Sequence, residues 1–532
     1  MRYVSTRGGE DSLSFEQAVL TGLAPNGGLY IPHTVPTLPP NWDSLWASYS
    51  FQDLSHAILS LYIPESEISS TDLRDLVNKS YATFRHPEVA PLNPIKDKEF
   101  VLELWHGPTF AFKDVALQFL GNLFEFFLQR KNEGKSGSYR ETLTVLGATS
   151  GDTGSAAIYG LRSKADVDIF ILHPKNRVSP IQEAQMTTIT DSNVHNIAVK
   201  ATFDDCQDIV KSLFADKAFN EKYHLGAVNS INWARILAQM VYYFLAYFHV
   251  KKQLEKIDSD ATIQFVVPTG NFGDVLAGWY AKRMGLPAER LVVATNSNDI
   301  LARFWASGRY EKPPASTSTV TGGVLETLSP AMDILVSSNF ERLLWYLAYD
   351  SLAGSLSSDD GERRRVACKT VKGWMDNVKA DGRAVVSEEV LALARKDFVA
   401  EKVDDAQTIE TIQAYYKAEN GFSDASYIAD PHTAVGLTAA RRLAGNNPPS
   451  VQQVILSTAH PAKFSEAVTR ALAPLSASFN FEREVMPEEF QGLLQKERKV
   501  IDIEKPEVGL VKDAIVKALV ASGKVFSEAS GV

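Results

Sequence analysis

Short apolar segments alternate with helix-forming segments between residues 96 and 300, and this alternation constrains the fold more than any other feature. The apolar segments have the length of β-strands and are rich in β-branched residues, whereas the intervening segments carry apolar residues at helical spacing. Such alternation is typical of an α/β fold with open, mostly parallel sheets flanked by helices. Strands are expected at residues 100–104, 142–146, 167–172, 196–199, 226–228, 263–267, 291–294 and 454–456, and helices at 51–61, 70–84, 154–162, 205–214, 233–250 and 274–284.

Changes in this pattern along the chain predict its domain organisation. The N-terminal segment has a turn-rich start and a proline-rich connection before its first helical patterns, which indicates a cap in front of the α/β core. A later segment of helical patterns and charged residues interrupts the alternation and indicates an accessory insertion. The expected parts are an N-terminal cap domain (1–95), an α/β core (96–300 and 425–480, with a smaller α/β subdomain at about 140–225), a mostly helical accessory insertion (305–425) and a C-terminal tail (481–532).

The charge and composition of the chain exclude several classes of partner. The 532 residues carry a formal net charge of −10 without an extended basic run, which disfavours nucleic acid. The two cysteines, Cys206 and Cys368, lack the spacing of a disulfide framework or a metal site. No apolar run is long enough to span a bilayer, and the first residues lack the apolar core of a signal peptide. We therefore expect a cytoplasmic protein that acts on a small molecule, with no nucleic acid, membrane or metal as its partner.

A single lysine, Lys113, lies in an unusual position between the first expected strand of the core and a helix. The segment 104–114, LWHGPTFAFKD, surrounds it with aromatic and small residues and places it close to the helix N-terminus. The helix dipole and the apolar neighbours both disfavour an ammonium group there. Two explanations stay open from this segment alone: a lysine bonded as an imine to a carbonyl compound, or a snorkelling lysine paired with Asp114.

Two strand-to-helix loops contain glycines and short polar side chains that suit an anion such as a phosphate or a carboxylate. The first, at 147–155, places several hydroxyls and glycines at a helix start, which is more than a single structural cap requires. The second, at 268–274, has two glycines but matches neither a dinucleotide fingerprint nor a P-loop. An ordinary glycine-containing turn is the alternative for this second loop.

Two further loops combine polar groups at the start of a helix. The segment 456–461 ends a buried strand in hydroxyls, among them Thr458, and taken alone it has the pattern of an ordinary N-cap. In the segment 229–235, Asn232 and Arg235 share a helix face and could bind a phosphate through charge-assisted hydrogen bonds. A capped helix with an exposed arginine is the alternative there.

Taken together, these segments resemble the threonine synthase family, which belongs to the fold-type-II enzymes that use pyridoxal 5'-phosphate. The resemblance covers nearly the whole chain and is to the longer form found in fungi and some bacteria. It implies the fold-type-II architecture, with an N-terminal cap and a helical accessory layer. The segments that carry it are residues 3–8, 24–29, 106–114, 148–155, 229–235, 270–274, 329–333, 337–342 and 457–460.

The resemblance also implies a role for each matching residue. Lys113 would bind the cofactor covalently and act in catalysis, and Thr458 would meet the pyridine nitrogen. The cofactor phosphate would be held by Gly270, Asn271, Phe272, Gly273 and Asp274. The substrate carboxylate would be held by Thr149, Ser150, Gly151, Asp152 and Thr153, and the substrate phosphate by Ser230, Asn232 and Arg235.

The implied reaction converts O-phospho-L-homoserine and water into L-threonine and phosphate, the last step of threonine biosynthesis. Such an enzyme is a carbon–oxygen lyase acting on a phosphate ester, and we expect a monomer or a small homo-oligomer. A phospholyase or dehydratase that releases a 2-oxo acid is the main alternative. A protein that binds the cofactor without catalysis is a remote one, kept because a fold alone does not specify a function.

Overall fold

The computed structural model describes residues 1–9, 12–254, 261–313, 323–354, 359–418, 421, 423–476 and 478–522. The strands are β1 (Tyr3–Ser5), β2 (Tyr30–Pro32), β3 (Leu92–Lys96), β4 (Glu99–Glu103), β5 (Leu143–Ala148), β6 (Val167–Pro174), β7 (Val194–Val199), β8 (Leu225–Gly226), β9 (Thr262–Pro268), β10 (Leu291–Thr295), β11 (Arg309–Glu311), β12 (Arg383–Val385), β13 (Phe398–Lys402), β14 (Val451–Ser457) and β15 (Ile501–Ile503). The helices are α1 (Phe15–Thr21), α2 (Trp42–Trp46), α3 (Phe51–Tyr62), α4 (Ser70–Tyr81), α5 (Lys113–Lys131), α6 (Asp152–Leu161), α7 (Pro180–Thr187), α8 (Phe203–Ala215), α9 (Lys217–Tyr223), α10 (Trp233–Leu254), α11 (Gly273–Met284), α12 (Ile300–Ser307), α13 (Phe340–Ser351), α14 (Asp360–Asp381), α15 (Glu388–Asp397), α16 (Asp405–Lys417), α17 (Pro431–Ala444), α18 (Ser465–Leu472), α19 (Phe481–Glu484) and α20 (Val508–Ala521).

The chain forms two compact units, and each contains a mostly parallel sheet flanked by helices, as the alternation predicts. Within the described ranges, no helix combines the length and the apolar character that crossing a membrane requires. Unit 1 contains residues 1–77, 84–106 and 230–485, and unit 2 contains residues 78–83, 107–229 and the described residues from 486 onward.

Unit 1 is built on a six-stranded sheet in the order β13-β10-β9-β14-β4-β3. β3 is antiparallel to β4, and the other neighbouring strands are parallel. The carboxyl ends of β9 and β14 therefore lie side by side, and the loops that follow them leave the sheet at the same edge. α17 packs on β9, β10 and β14, while α10 is buried along most of its length, as its continuously apolar sequence requires.

Unit 2 is built on a five-stranded parallel sheet in the order β15-β7-β6-β5-β8. The C-terminal segment supplies β15, and α20 buries Val511, Ile515 and Leu519 in the same apolar cluster as residues of β6 and β7. The last described part of the chain therefore completes the core of unit 2. The loop that leads from β5 to α6 leaves the carboxyl end of this sheet.

The strands expected from the sequence are all present, with ends that differ by a few residues. β13 is not predicted, yet it pairs in parallel with β10 at the edge of the six-stranded sheet. Its sequence ends in Glu401 and Lys402 and follows a helix directly, so it lacks the apolar run that marks a buried strand. The boundaries of the cap, core, insertion and tail stay predictions.

Helices α5 and α6 of unit 2 meet at two glycines, Gly121 and Gly160. A Cβ atom on Gly121 would lie 1.9 Å from the carbonyl oxygen of Gly160, and a Cβ atom on Gly160 would lie 2.4 Å from the carbonyl oxygen of Leu117. The two backbones are therefore in direct contact, which sets the separation of the helices. Because α5 begins at Lys113 and α6 begins at Asp152, this contact also helps to place those two side chains.

We expect Gly121→Ala to lower the free energy of unfolding by about 1–3 kcal/mol, because the added methyl group must push the backbone of α6 away. Urea unfolding followed by circular dichroism measures the loss. Gly509→Ala is the matched control, since Gly509 is an exposed residue of α20 with open space around its Cα. A Gly121→Ala midpoint equal to that of the control would contradict the assigned contact.

Candidate active site

Lys113 is the first residue of α5 and is only 8% exposed. Its Nζ lies 5.5 Å from the centre of the Phe112 ring and 3.7 Å from Oδ2 of Asp152. The preceding loop is held in an uncommon conformation, because Phe110 has a φ of +60°. The sequence prediction of a lysine at a helix N-terminus beside aromatic rings is therefore confirmed, and its charged partner in unit 2 is Asp152.

The Asp114 carboxylate shapes the loop that carries Lys113. Its Oδ2 accepts a hydrogen bond from the backbone N–H of Thr109, and its Oδ1 accepts one from the Thr109 hydroxyl, both at 2.7 Å. A Cβ atom on Gly107 would lie 2.4 Å from Cβ of Asp114, so only glycine fits there. Both carboxylate oxygens of the partner proposed from the sequence thus have a role in folding the loop.

The loop 149–153 folds around the Thr149 side chain at the carboxyl end of β5. The Thr149 hydroxyl accepts hydrogen bonds from the backbone N–H groups of Gly151 and Gly154, at 3.0 and 2.9 Å. Gly151 has a φ of +154°, which only glycine adopts readily. Ser150 is exposed and Thr153 is half-buried, whereas the Asp152 carboxylate is buried and accepts a hydrogen bond from Gln182 Nε2 at 2.8 Å.

The loop 270–274 of unit 1 joins β9 to α11. In the part of the chain that the structure describes, none of the backbone N–H groups of these residues donates to a protein acceptor. The N-cap residue Phe272 has a φ of +64°, and its ring packs against Trp305 and Phe340. A Cβ atom on Gly270 would lie 2.9 Å from the carbonyl oxygen of Ala331, so this glycine is also required by packing.

Asp274 ends this loop with a buried side chain. Its Oδ1 accepts hydrogen bonds from the hydroxyls of Tyr242 and Tyr243, at 2.6 and 2.9 Å. Its Oδ2 has no hydrogen-bond partner among the described residues. Burial raises the pKa of this carboxyl from its ordinary value to about 6, so the group takes up a proton just below neutral pH.

Thr458 directly follows β14, on the strand next to the one that leads into the 270–274 loop. It is 6% exposed. The neighbouring Ser457 hydroxyl accepts a hydrogen bond from Trp105 Nε1 at 3.0 Å and lies 3.0 Å from the Thr433 hydroxyl. The strand end that carries Thr458 is therefore fixed by its neighbours on both sides.

The segment 230–235 places its three predicted ligands in different surroundings. Asn232 is fully buried, where its side chain donates to the Val19 carbonyl oxygen at 2.8 Å and accepts from the Ala234 N–H at 3.1 Å. Arg235 is 3% exposed, and burial lowers its pKa to about 10. The Ser230 hydroxyl is half-buried and lies 3.3 Å from that of Ser338.

The polar segment 337–342 holds the loop 270–274 in place. The sequence pattern alone predicts no role for it. The Ser337 hydroxyl donates to the Gly270 carbonyl oxygen at 2.7 Å, and the Ser338 hydroxyl donates to Asn271 Oδ1 at 3.0 Å. The Asn339 Nδ2 group donates to the carbonyl oxygens of Asn271 and Ser230, at 3.0 and 3.2 Å. The only local feature that marks this segment in the sequence is the pair of serines, Ser337 and Ser338, before α13.

Comparison with known proteins identifies the chain's relatives. Residues 2–81 match the family model "Threonine synthase N terminus", residues 433–515 match "Threonine synthase, C-terminal", and residues 88–344 match "Pyridoxal-phosphate dependent enzyme". The threonine synthase of Schizosaccharomyces pombe is 55% identical to this chain over 96% of its length and 97% of the relative's length.

Two solved structures are similar to this one over almost their full lengths. The crystal structure of threonine synthase from yeast has a TM-score of 0.90 and 50% identity, and the match covers 98% of this chain and 99% of that one. The structure of PLP-bound threonine synthase from Brucella melitensis has a TM-score of 0.83 and 39% identity, with 97% and 99% covered. These similarities confirm the fold-type-II architecture. The chain belongs to the threonine synthase family of pyridoxal-phosphate-dependent enzymes.

Proposed function

We propose that this enzyme converts O-phospho-L-homoserine and water into L-threonine and inorganic phosphate. The observation that carries the proposal is that the two loops of unit 1 expected to bind phosphate groups, 230–235 and 270–274, are joined by one side chain. The Asn339 carboxamide donates to a carbonyl oxygen in each of them. An enzyme whose cofactor and substrate both carry a phosphate needs two such loops close together.

Pyridoxal 5'-phosphate fits the residues present. The free N–H groups of residues 270–274 lie at the N-terminus of α11, where the helix dipole favours a phosphate. Gly270, Asn271, Phe272, Gly273 and Asp274 would hold the phosphate through these backbone groups. When bound, the cofactor supplies an electron sink that stabilises negative charge at the substrate Cα.

Lys113 would hold the cofactor covalently and then move protons on the substrate. Its buried amine is the group in the 107–114 loop that can both bond to a carbonyl and accept a proton. Once the substrate has displaced it, Nζ would take protons from the substrate Cα and Cβ and return protons to Cγ and Cα. Removal of a proton at Cβ then allows the γ-phosphate to leave, and water adds at Cβ.

Thr458 would meet the pyridine nitrogen with a neutral hydroxyl. A hydroxyl can accept or donate a hydrogen bond, so it does not force the ring nitrogen to stay protonated as a carboxylate would. A ring without that proton withdraws electrons less strongly, which favours elimination over misplaced protonation.

The substrate would be held at both of its charged ends. The hydroxyls of Ser150 and Thr153 and the backbone N–H groups that Thr149 leaves free would bind the carboxylate, and Thr149 would hold the loop in shape. Arg235 and Ser230 would bind the phosphate, and with a pKa of about 10 Arg235 stays charged at neutral pH. In the structure Asn232 already caps α10, so its contribution would be to hold the backbone of this loop.

The alternatives from the sequence are less well supported. A phospholyase or dehydratase would use the same loops, but the full-length relatives at 50–55% identity are named threonine synthases. A protein that binds the cofactor without catalysis would not need Lys113 and both phosphate loops together. We further propose a cytoplasmic location and a monomeric or small homo-oligomeric state.

We expect Lys113→Ala to lower threonine formation by about 10³-fold or more, since it removes the base proposed to act at the substrate. It should also abolish covalent cofactor attachment. Borohydride reduction followed by mass spectrometry of the peptide containing residue 113 measures the attachment, and a coupled phosphate assay measures the reaction. Lys164→Ala is the control, because Lys164 is another shielded lysine of unit 2, 14% exposed and paired with Glu125. Attachment that survives in Lys113→Ala would show that the assignment is wrong.

We expect Arg235→Lys to raise the KM for O-phosphohomoserine by about 10- to 150-fold, which corresponds to the loss of about 1.5–3 kcal/mol of charge-assisted hydrogen bonding. Cofactor absorbance should stay unchanged. Arg365→Lys is the matched control on the exposed face of α14, where its side chain is 73% exposed. A kcat that falls while KM stays constant would show that Arg235 does not bind the substrate.

Formation of 2-oxobutyrate in place of threonine by the unaltered enzyme would favour the lyase alternative.

A further inference from the structure

The two carboxylate oxygens of Asp152 contact different buried groups of unit 2. Oδ1 accepts the hydrogen bond from Gln182 Nε2 at 2.8 Å, and Oδ2 lies 3.7 Å from Nζ of Lys113. Asp152 and Lys113 are each 8% exposed and Gln182 is 4% exposed. The three side chains therefore form a line from α7 to the lysine at the start of α5.

A role in binding the substrate carboxylate does not explain the acidic side chain of Asp152. A carboxylate directed at another carboxylate is repelled, and the repulsion is stronger where water is excluded. The backbone of Asp152 can still contribute an N–H group to an anion at the start of α6. Its side chain instead needs a positive partner, and Lys113 is the cation beside it.

Gln182 is held in a close-fitting position. It lies in the first turn of α7, whose N-cap residue Ser179 accepts a hydrogen bond from the Gln182 N–H. A Cβ atom on Gly151 would lie 2.3 Å from Gln182 Oε1, so the absence of a side chain at residue 151 makes room for this glutamine. Such packing restricts the Gln182 side chain and, through the hydrogen bond, the Asp152 carboxylate.

We propose that Asp152 is the counter-ion of the Lys113 ammonium and that Gln182 is the positioning residue that holds Asp152 in place. The inference rests on the proposed role of Lys113 and explains how that role is sustained. A lysine that takes a proton from the substrate becomes an ammonium in a buried site, which costs free energy without a partner. The carboxylate keeps that ammonium stable until Nζ returns its proton.

Other acidic groups on the neighbouring elements have partners of their own or are exposed. They are Asp114, bonded to Thr109; Glu125, paired with Lys79 and Lys164; Glu183, 3.8 Å from Arg498 and 3.9 Å from His173; and Glu488 and Glu489, which are exposed next to the Phe490 ring that packs on Phe110.

Competitive labelling of the Lys113 amine tests the inference in the full-length protein after removal of the cofactor. Trace acetic anhydride is applied across a pH series, and acetylation of the peptide containing residue 113 is read by mass spectrometry. Asp152→Asn should move the labelling midpoint down by about 1–3 pH units, because it removes the negative charge that favours the ammonium. Gln182→Leu should move it in the same direction by less, because the carboxylate stays but is no longer held.

Gln185→Leu is the matched control. Gln185 lies one turn further along α7 and donates to the Thr109 carbonyl oxygen at 3.2 Å, so the variant loses a buried hydrogen bond from the same helix. An unchanged labelling midpoint in Asp152→Asn would overturn the proposal that Asp152 is the counter-ion. A shift in Asp152→Asn without one in Gln182→Leu, or equal shifts in Gln182→Leu and Gln185→Leu, would overturn the positioning role.

The labelling result is independent of the reaction catalysed. If the midpoints shift as expected while the unaltered enzyme forms no threonine from O-phosphohomoserine, the proposed function fails and the counter-ion is retained. If threonine forms and the midpoints do not shift, the counter-ion fails alone. Circular dichroism of each variant confirms that the fold is intact before labelling.

Discussion

The buried guanidinium of Arg342 is the group on which the polar loops of unit 1 depend. It is fully buried and donates to the Asn339 side-chain oxygen and to the carbonyl oxygens of Tyr30 and Ile231, at 2.9 Å and 2.6 Å respectively. Burial lowers its pKa to about 10, which still leaves it charged at neutral pH. Because a buried cation without acceptors costs several kcal/mol, these three acceptors must converge on it. Their convergence fixes the start of the 230–235 loop and the orientation of Asn339.

Asn339 extends that constraint to the loop 270–274. Once Arg342 holds its oxygen, its Nδ2 group can only point the other way, toward the carbonyl oxygens of Ser230 and Asn271. A hydrogen bond of this kind contributes about 0.5–1.5 kcal/mol to stability, so its main effect is geometric. These hydrogen bonds join groups of the protein itself and hold both loops in one arrangement, which reduces the reorganisation that binding requires.

The sequence predicts the loops of the site but not the side chains that hold them. Lys113 and the 268–274 loop carry local signals, because glycines, helix starts and aromatic neighbours all lie within a few residues. Gln182 and Asn339 act on partners 30 and 68 positions away, so no local pattern marks them. Asn232 shows that one local pattern can suit two roles, since a pattern that suits an anion ligand also suits the cap of α10 that the structure shows. The sequence pattern does not predict β13, because an edge strand needs no continuous apolar run.

The acidic total charge of the chain, −10, says little about what its buried sites bind. Exposed charges are screened by salt within about 8–10 Å, whereas buried groups are screened much less. The groups proposed to bind anions are the backbone N–H dipoles of residues 270–274 and the buried Arg235, which is charged at neutral pH. The backbone dipoles add nothing to the net charge, and Arg235 adds a single unit. Net charge therefore argues against a polyanion such as nucleic acid, which must contact the outer surface, and leaves a small phosphate ester free to bind.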